Sequence, residues 1–496
     1  MKIKNILISF LTLILFIPGF SIEANTLNEN ESLTIEGYPL SLNEAIRLTL
    51  KNNFDIETSR LQRKINVRDV TAEYAIYDTE LSADFGYTVD EKENTLTFLE
   101  DKENTTAWNL GLSKKLPFGT TLSLDLNSSR NSTKTPGKYY IASETISITH
   151  PLLNNSFGFA DKSNIKIVKL DVSQLDLGIL NKIEKNIADT INTYWELVFA
   201  HKNLHSKQEA LSFAEHFLEI TQKQVNNGAL EETDLFAAQA NVEIAKRGLL
   251  NAKTSLANTS DDLKLAMNFF KDLDFAPSEK LPEPENSLSR EKALTNALEN
   301  RRDLKQAHIN SEKKDITINL KKNELLPQLD LIGTFTSNGL SRELADAMGE
   351  SSGMDDPTYF IGLEITYPIE NTKARSVVEQ SQFEKAQAIL QIAKTEKEIF
   401  VDISKAARNI DVIQKQCEHD RKTVELQKNK LNGEEKKYNF GRSSSDIIIR
   451  YEDDVINAKT QLFRTLTDYQ KALVNLKLKE NTLLDDIDWI TYEEIK

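Results

Sequence analysis

A seven-residue apolar repeat occurs twice in this chain, with its two copies 213 residues apart. The first copy is Val242, Ala245, Leu249, Ala252, Leu256, Leu263 and Phe270; the second is Val455, Ala458, Leu462, Thr465, Tyr469, Leu476 and Leu483. The same interval carries Gly228 onto Gly441, each opening a short turn before its helix. A 3-4 spacing sets these side chains on one stripe, so each copy predicts helices packed side by side as a coiled coil. Two such hairpins in one chain constrain its function more than any single residue does.

Proline placement permits very long helices. All 11 prolines lie at or before Pro368, leaving the last 128 residues without one, and proline breaks helix interiors. The N-terminus predicts an export signal: Lys2 and Lys4, an apolar stretch at 6–17, then Pro18-Gly19-Phe20-Ser21. The stretch is shorter than the roughly 20 residues of a spanning helix, and a retained anchor is the plain alternative. No run of 18 apolar residues follows, so no transmembrane helix is expected. Cys417 is the only cysteine, so an exported chain must be held by packing rather than by disulfides. The formal charge of −15 becomes −17 once Lys2 and Lys4 are gone, which opposes a nucleic-acid partner.

The chain therefore divides into a signal peptide at 1–21 (cleavage as late as 24), a first repeat at 40–270, a linker at 271–286, a second repeat at 287–485 and a tail at 486–496. Ser41-Leu42-Asn43-Glu44 is a capping box that opens the first repeat, and Leu288-Ser289-Arg290-Glu291 opens the second. Alternating segments follow at 80–150 and 328–368. Leu81, Ala83, Phe85 and Tyr87, then Trp108, Leu110 and Leu112, then Leu122, Leu124 and Leu126, then Ile146 and Ile148 mark the first set. Leu329, Leu331 and Phe335, then Ile361, Leu363, Ile365 and Tyr367 mark the second. Such period-2 patterns predict strands with one apolar face. The polar stretches 90–106, 128–139 and 337–357 are expected to be loops.

Both strand blocks end alike, at His150-Pro151-Leu152 and Tyr367-Pro368-Ile369. Long helices are predicted at 161–226 and 373–438, each nearly ~100 Å at 1.5 Å per residue. Shorter return helices follow, and the opening helix of each repeat makes up the difference if it stacks end to end on the return helix.

This order, with Asn227-Gly228-Ala229-Leu230-Glu231-Glu232-Thr233-Asp234-Leu235 and His150-Pro151-Leu152-Leu153, resembles the TolC-like outer-membrane efflux protein family. The resemblance covers nearly everything from Leu40 to Leu484. It implies a mixed, mostly α fold: duplicated long coiled-coil hairpins plus amphipathic strands forming a trimeric transmembrane β-barrel and a periplasmic α-barrel. It also implies an outer-membrane conduit for efflux or type I secretion, with a periplasmic adaptor (membrane fusion) protein and an inner-membrane pump as partners. Half-apolar strands suit a barrel between lipid and water, and too few are present for one chain to close a wide one. The hairpin turns become the tunnel tip, which makes Gly228, Glu231, Glu232, Asp234, Gly441, Arg442, Asp446 and Arg450 the candidate gate and docking residues. The second repeat departs from the family pattern, since Ile449 and Arg450 stand where a further acid is common.

No catalytic motif or cofactor-binding loop is present. His201 and His205 have helical ligand spacing, but without a third convergent ligand they read as surface histidines. A periplasmic coiled-coil adaptor or envelope scaffold is the alternative function. It has no need of strands feeding directly into ~100 Å helices. The segment at 108–128 adds an extra hairpin, turning at Leu116-Pro117-Phe118-Gly119-Thr120. Inserted, it raises the count from the family's four strands per protomer to six; its 7–9-residue arms are short beside the 9–11 of a spanning strand, so a surface flap is the other reading.

Overall fold

The computed structural model describes residues 38–91, 103–132, 137–269, 271, 273–284, 289–440 and 442–485. The expected signal peptide and tail, together with Phe270 and Gly441, lie outside the described residues. The first repeat runs β1 (Tyr38–Leu40), α1 (Leu42–Asn52), α2 (Phe54–Glu73), β2 (Thr79–Asp90), β3 (Glu103–Lys115), β4 (Thr121–Ser132), β5 (Lys138–Pro151), α3 (Phe159–Asn226) and α4 (Glu232–Met267). The second runs β6 (Phe275–Pro277), α5 (Arg290–Asn300), α6 (Arg302–Asn323), β7 (Gln328–Ser341), α7 (Leu344–Gly353), β8 (Asp356–Thr366), α8 (Thr372–Asn439) and α9 (Ser445–Glu480).

Local chemistry explains where the opening helices begin and break. Ser41 Oγ accepts from Glu44 N at 3.2 Å to start α1. Asn53 Oδ1 accepts from Asp55 N at 2.8 Å and Ile56 N at 3.1 Å, satisfying two first-turn donors of α2. Ser289 caps α5 in the same way.

The α3 and α8 helices have 68 residues each, about 100 Å at 1.5 Å per residue. Each is flanked on one side by two shorter helices in line: α2 and α4 along α3, α6 and α9 along α8. The in-line junctions are capped by asparagines in the left-handed conformation, Asn268 (φ 50°) and Asn481 (φ 57°). In the first repeat Asn268 Nδ2 donates to Asn52 O and Asn53 Nδ2 donates to Ala266 O, both at 2.8 Å. In the second, Asn481 Oδ1 accepts from Arg302 N at 3.0 Å.

The seven-residue stripes lie in the seams. Val242, Ala252, Leu263, Val455, Thr465, Tyr469, Leu476 and Leu483 are all buried. Leu263 joins Ile183, Ile187, Ile191 and Tyr194 of α3 in one core, and Leu466, Tyr469 and Leu476 join Ile399, Ile403 and Ile410 of α8 in another. Cys417 is buried in the second core, and burial pushes its thiol up to about 11. The linker region is partly ordered by pairing, because β6 runs parallel to β1. Tyr194 OH donates to Leu40 O at 2.9 Å beneath this pair.

One sheet, in the order β2-β3-β4-β5-β7-β8, is antiparallel throughout. Its strands are longer than the apolar alternation suggested. The expected loops at 90–106 and 128–139 supply the outer ends of β3, β4 and β5, since ladder hydrogen bonds rather than apolar phase decide where a strand stops. The expected loop at 337–357 contains the end of β7, all of α7 and the start of β8. Gly339 and buried Ser337 and Ala142 make room for α7 against β5 and β7; a Cβ at Gly339 would lie 1.9 Å from Ala347 O.

Between the repeats lies a buried ion pair. Glu184 of α3 is fully buried and accepts from the Arg302 guanidinium, from Asn481 Nδ2 at 2.7 Å and from Leu483 N at 3.0 Å. Arg302→Met should strand that carboxylate and cost about 3–5 kcal/mol. Arg301→Met, which cuts a partly exposed pairing with Asp303 and Asp402, should cost about 0–1 kcal/mol. Denaturation midpoints of the two purified variants check this ordering, and equal losses would refute it.

Candidate conduit: a two-faced sheet, a helical wall and its tip

Because the register across the sheet has no slip, every strand assigns its side chains to one of two faces. One face carries Leu81, Phe85, Tyr87, Trp108, Leu110, Leu112, Leu122, Leu124, Ile146, Ile148, Phe335, Tyr359, Ile361, Leu363 and Ile365. Many of these are widely exposed, Phe85 at 76% and Ile361 at 84%. An apolar surface of this extent is not stable against water and suits hydrocarbon.

The opposite face is polar and acidic. Glu80, Asp84, Asp125, Asp330, Asp356 and Glu364 project from it. Asp125 lies over Gly111, where an added Cβ would come within 2.9 Å of its Oδ1. Lys115 is the one basic side chain on this face among the described strand residues, and it is held at 2.7 Å by Asp161 of α3. These acids occupy the polar phase of the same period-2 alternation whose apolar phase marks the strands.

Below the sheet the helices form a wall of four rows: α2 with α4, then α3, then α6 with α9, then α8. The seam between the repeats is laced with charge, including Lys459–Glu209 at 2.8 Å, Arg464–Glu196 at 2.8 Å and Lys471–Glu196. The two outer rows carry apolar side chains facing away from the wall. On α8, Phe383, Leu390, Val401, Val412 and Leu426 are exposed and fall within about 40° of one another at 100° per residue. Phe54, Leu61 and Ile65 of α2 and Phe236, Leu250 and Leu265 of α4 form the matching exposed stripe on the far row.

At the end of the wall two turns lie side by side. Gly228 (φ 72°) follows α3, where Ala229 N donates back to Gln224 O at 2.8 Å; a left-handed residue there favours glycine. Glu231 takes the N-cap position of α4, with Glu232 and Asp234 in its first turn, and Asp446 sits in the first turn of α9. Acids there complement the helix dipole. Arg442 N donates to Lys437 O at 2.9 Å, and Arg450 lies 5.5 Å from the Tyr451 ring. The ion pairs of this region run elsewhere, as Lys437–Glu434 and Lys430–Asp454. Within one chain, among the described residues, the α4 acids and the two arginines are not joined.

What joins the two hairpins is a cluster the sequence reading missed. Phe217, Ala238, Tyr438 and Ile448 are buried together. The Tyr438 ring packs 5.4 Å from Phe217, and its hydroxyl lies 3.1 Å from Ser445 Oγ and 3.4 Å from Thr221 Oγ1. His201 and His205 converge with no third ligand: among the described residues no group of three metal-binding side chains occurs. His205 Nδ1 instead lies 3.3 Å from Glu209.

Near the tip Glu452 is pushed up to about 6, chiefly by burial, with Glu435, Asp453 and Glu209 adding to the effect and Lys459 opposing it. Its charged form is therefore disfavoured in the folded state. No penalty exists below the ordinary value of 4.5, where it is protonated folded or unfolded, and the full penalty applies above about 6. Glu452→Gln should leave thermal stability unchanged below that window and raise it above. A uniform difference at all pH values would contradict the assignment.

Residues 293–482 match the family model of the outer membrane efflux protein. No curated protein matches the sequence. The fold is shared with solved channels. The Campylobacter jejuni CmeC outer membrane channel is 16% identical, with 92% of this chain and 89% of that one covered at a TM-score of 0.65. The Neisseria gonorrhoeae MtrE outer membrane channel, in its open state, is 16% identical, with 88% of each chain covered at 0.63. The Vibrio cholerae outer membrane protein VceC is 12% identical, with 88% of this chain and 95% of that one covered at 0.63. With the family match confined to the second repeat and the common fold running across both, the chain is similar to the outer membrane efflux proteins and shares the fold of solved outer membrane channels.

Proposed function

We propose that this chain is the outer-membrane channel of an efflux or type I secretion system, a passive homotrimeric conduit rather than an enzyme. The observation that carries the reading is the sheet: it is apolar on one face, acidic on the other, and ends in two strands that, among the described residues, pair with another strand on one side only. β2 and β8 run in opposite directions at the two edges, so β8 of one copy can pair antiparallel with β2 of the next. Hydrocarbon does not tolerate an open edge, which makes closure by identical copies the natural solution. The exposed stripes of α8 and of α2 with α4 meet in the same sense of rotation, extending the closed ring into the periplasm.

In this reading the tip turns around Gly228, Glu231, Glu232, Asp234, Gly441, Arg442, Asp446 and Arg450 face the periplasmic adaptor and, through it, the inner-membrane pump. Charges left unjoined within one chain are available to the neighbouring hairpin or to the adaptor. The adaptor or scaffold alternative leaves the lipid-suited face without a purpose.

Assembly can be tested without disturbing the fold of one chain, because the α8 stripe is exposed in it. Each buried leucine contributes about 1.5–3 kcal/mol. The double variant Leu390→Asp, Val412→Asp should therefore yield single chains in detergent where the parent gives trimers, and persistence of trimers would sink the ring. Conduction gives an independent check. The acidic lumen favours cations, so reversal potentials in planar bilayers under a salt gradient should show cation preference, and neutralising Asp84 and Asp125 to Asn should weaken it. Anion preference of the parent would contradict the lumen assignment.

A further inference from the structure

We propose that the β3–β4 hairpin is a full part of the barrel wall, so that three copies close an eighteen-stranded pore as broad as the helical tunnel beneath it. The proposal rests on the trimeric reading above and adds to it the width of the exit.

Both arms are hydrogen-bonded on both sides along their whole length. β3 pairs with β2 from Lys114 opposite Thr79 to Glu103 opposite Asp90, and β4 pairs with β5 from Thr121 opposite Thr149 to Ser132 opposite Lys138. β2 pairs with β3 and not with β5. A flap standing off the surface would leave β2 and β5 as neighbours. The face assignment also passes through the hairpin unbroken: Leu112 and Leu124 lie in one row with Leu81 and Ile146, and Asp125 stays on the acidic side. At 13 and 12 residues the arms exceed the roughly 9–11 needed to span.

The turn at the foot of the hairpin is built into the junction with α3. Gly119 (φ +85°) and Gly158 (φ +69°) approach so closely that a Cβ on the first would meet Gly158 N at 2.8 Å and one on the second would meet Pro117 O at 2.6 Å. Thr120 Oγ1 lies 2.8 Å from His150 Nδ1, and Lys115 reaches buried Asp161. This places the turn at the base of the sheet, on the side where the long helix begins.

Girth then follows. Strands about 4.8 Å apart and tilted by about 40° each occupy roughly 6.3 Å of circumference. The six strands of one copy therefore span about 38 Å. Four helical rows at about 8–10 Å span about 32–40 Å. Without the hairpin the sheet would span only about 25 Å by the same spacing and would neck the passage at the membrane. With it the barrel is about 36 Å across its backbone, and a bulky hydrophilic solute that has passed the tunnel meets no further constriction.

The test is made on the full chain in a Cys417→Ser background. Nitroxide labels on Leu124→Cys and Asp125→Cys should divide, the first reporting oxygen-rich lipid and the second a water-soluble paramagnet. Water access at both positions overturns the proposal. A variant lacking residues 103–132 keeps strand alternation and both faces, so its exclusion limit for polyethylene glycols added from the outer side should fall by about a third; an unchanged limit also overturns it. The mass of the detergent-purified parent separates the two readings. Anything but three copies defeats the trimer, whereas three copies with both labels in water defeats only the hairpin's place in the wall.

Discussion

A backbone N–H or C=O exposed to hydrocarbon has no water to bond with, and each one left unpaired costs several kcal/mol. In the proposed reading that constraint organises this molecule from the sheet downward. The six strands satisfy one another internally but, among the described residues, β2 and β8 have no strand partner on their outer edges. An even strand number makes those edges antiparallel, so copies can join in a ring without a parallel pair. Rotation about the ring axis then requires the helical wall to meet its neighbour as well, and the exposed apolar stripes on the two outer rows are placed for this. In the proposed ring a water-filled interior follows from the same geometry, because the polar phase of every strand turns inward together.

Duplication solves the second problem, which is how to make a wall about 100 Å long from helices that must also turn back. A single long helix in each repeat runs the full length, and two shorter ones lie in line beside it. The weak point is the in-line junction, where helix ends leave backbone groups unsatisfied. The first repeat closes its junction with a reciprocal pair of asparagine side chains, Asn53 and Asn268. The second keeps Asn481 but replaces the opposite partner with Arg301 and Arg302, which reach Asp402 and Glu184. The duplicated positions have thus diverged: one copy keeps a neutral clasp, and the other ties its junction into the long helix of its counterpart. Glu184 belongs to the first repeat and all the partners named here to the second, so this charge is one of the places where the halves join.

Much of the fold was legible in the sequence. The heptad stripes, the proline-free second half, the capping serines and the strand-to-helix prolines located the long helices to within a few residues. The strands were found from their apolar phase but were cut short, because β3, β4 and β5 continue through Ser, Thr and Asn where only ladder hydrogen bonds hold them. Likewise α7 was hidden in a polar stretch, since a helix of ten residues seated on Gly339 and Ser337 needs little apolar surface of its own. At the tip the acids and arginines stood out by charge, whereas the Tyr438 cluster that fastens the hairpins was silent, its members lying far apart in the chain.

The sequence by itself determined periodicity: which segments are helix, which are two-faced strand, and that the helical hairpin with its opening helix occurs twice. These properties follow from the spacing of side chains along one chain, which is all that 3.6- and 2-residue periods can express. Only the tertiary structure decided what each face meets. It seated the extra hairpin's turn against Gly158, sent Asp84 and Asp125 to one side of the sheet and Leu110 and Leu124 to the other, and buried Glu184 against Arg302. Such choices depend on pairing between separate segments, 118 residues apart for Glu184 and Arg302, where register and packing set the outcome and local pattern carries no information.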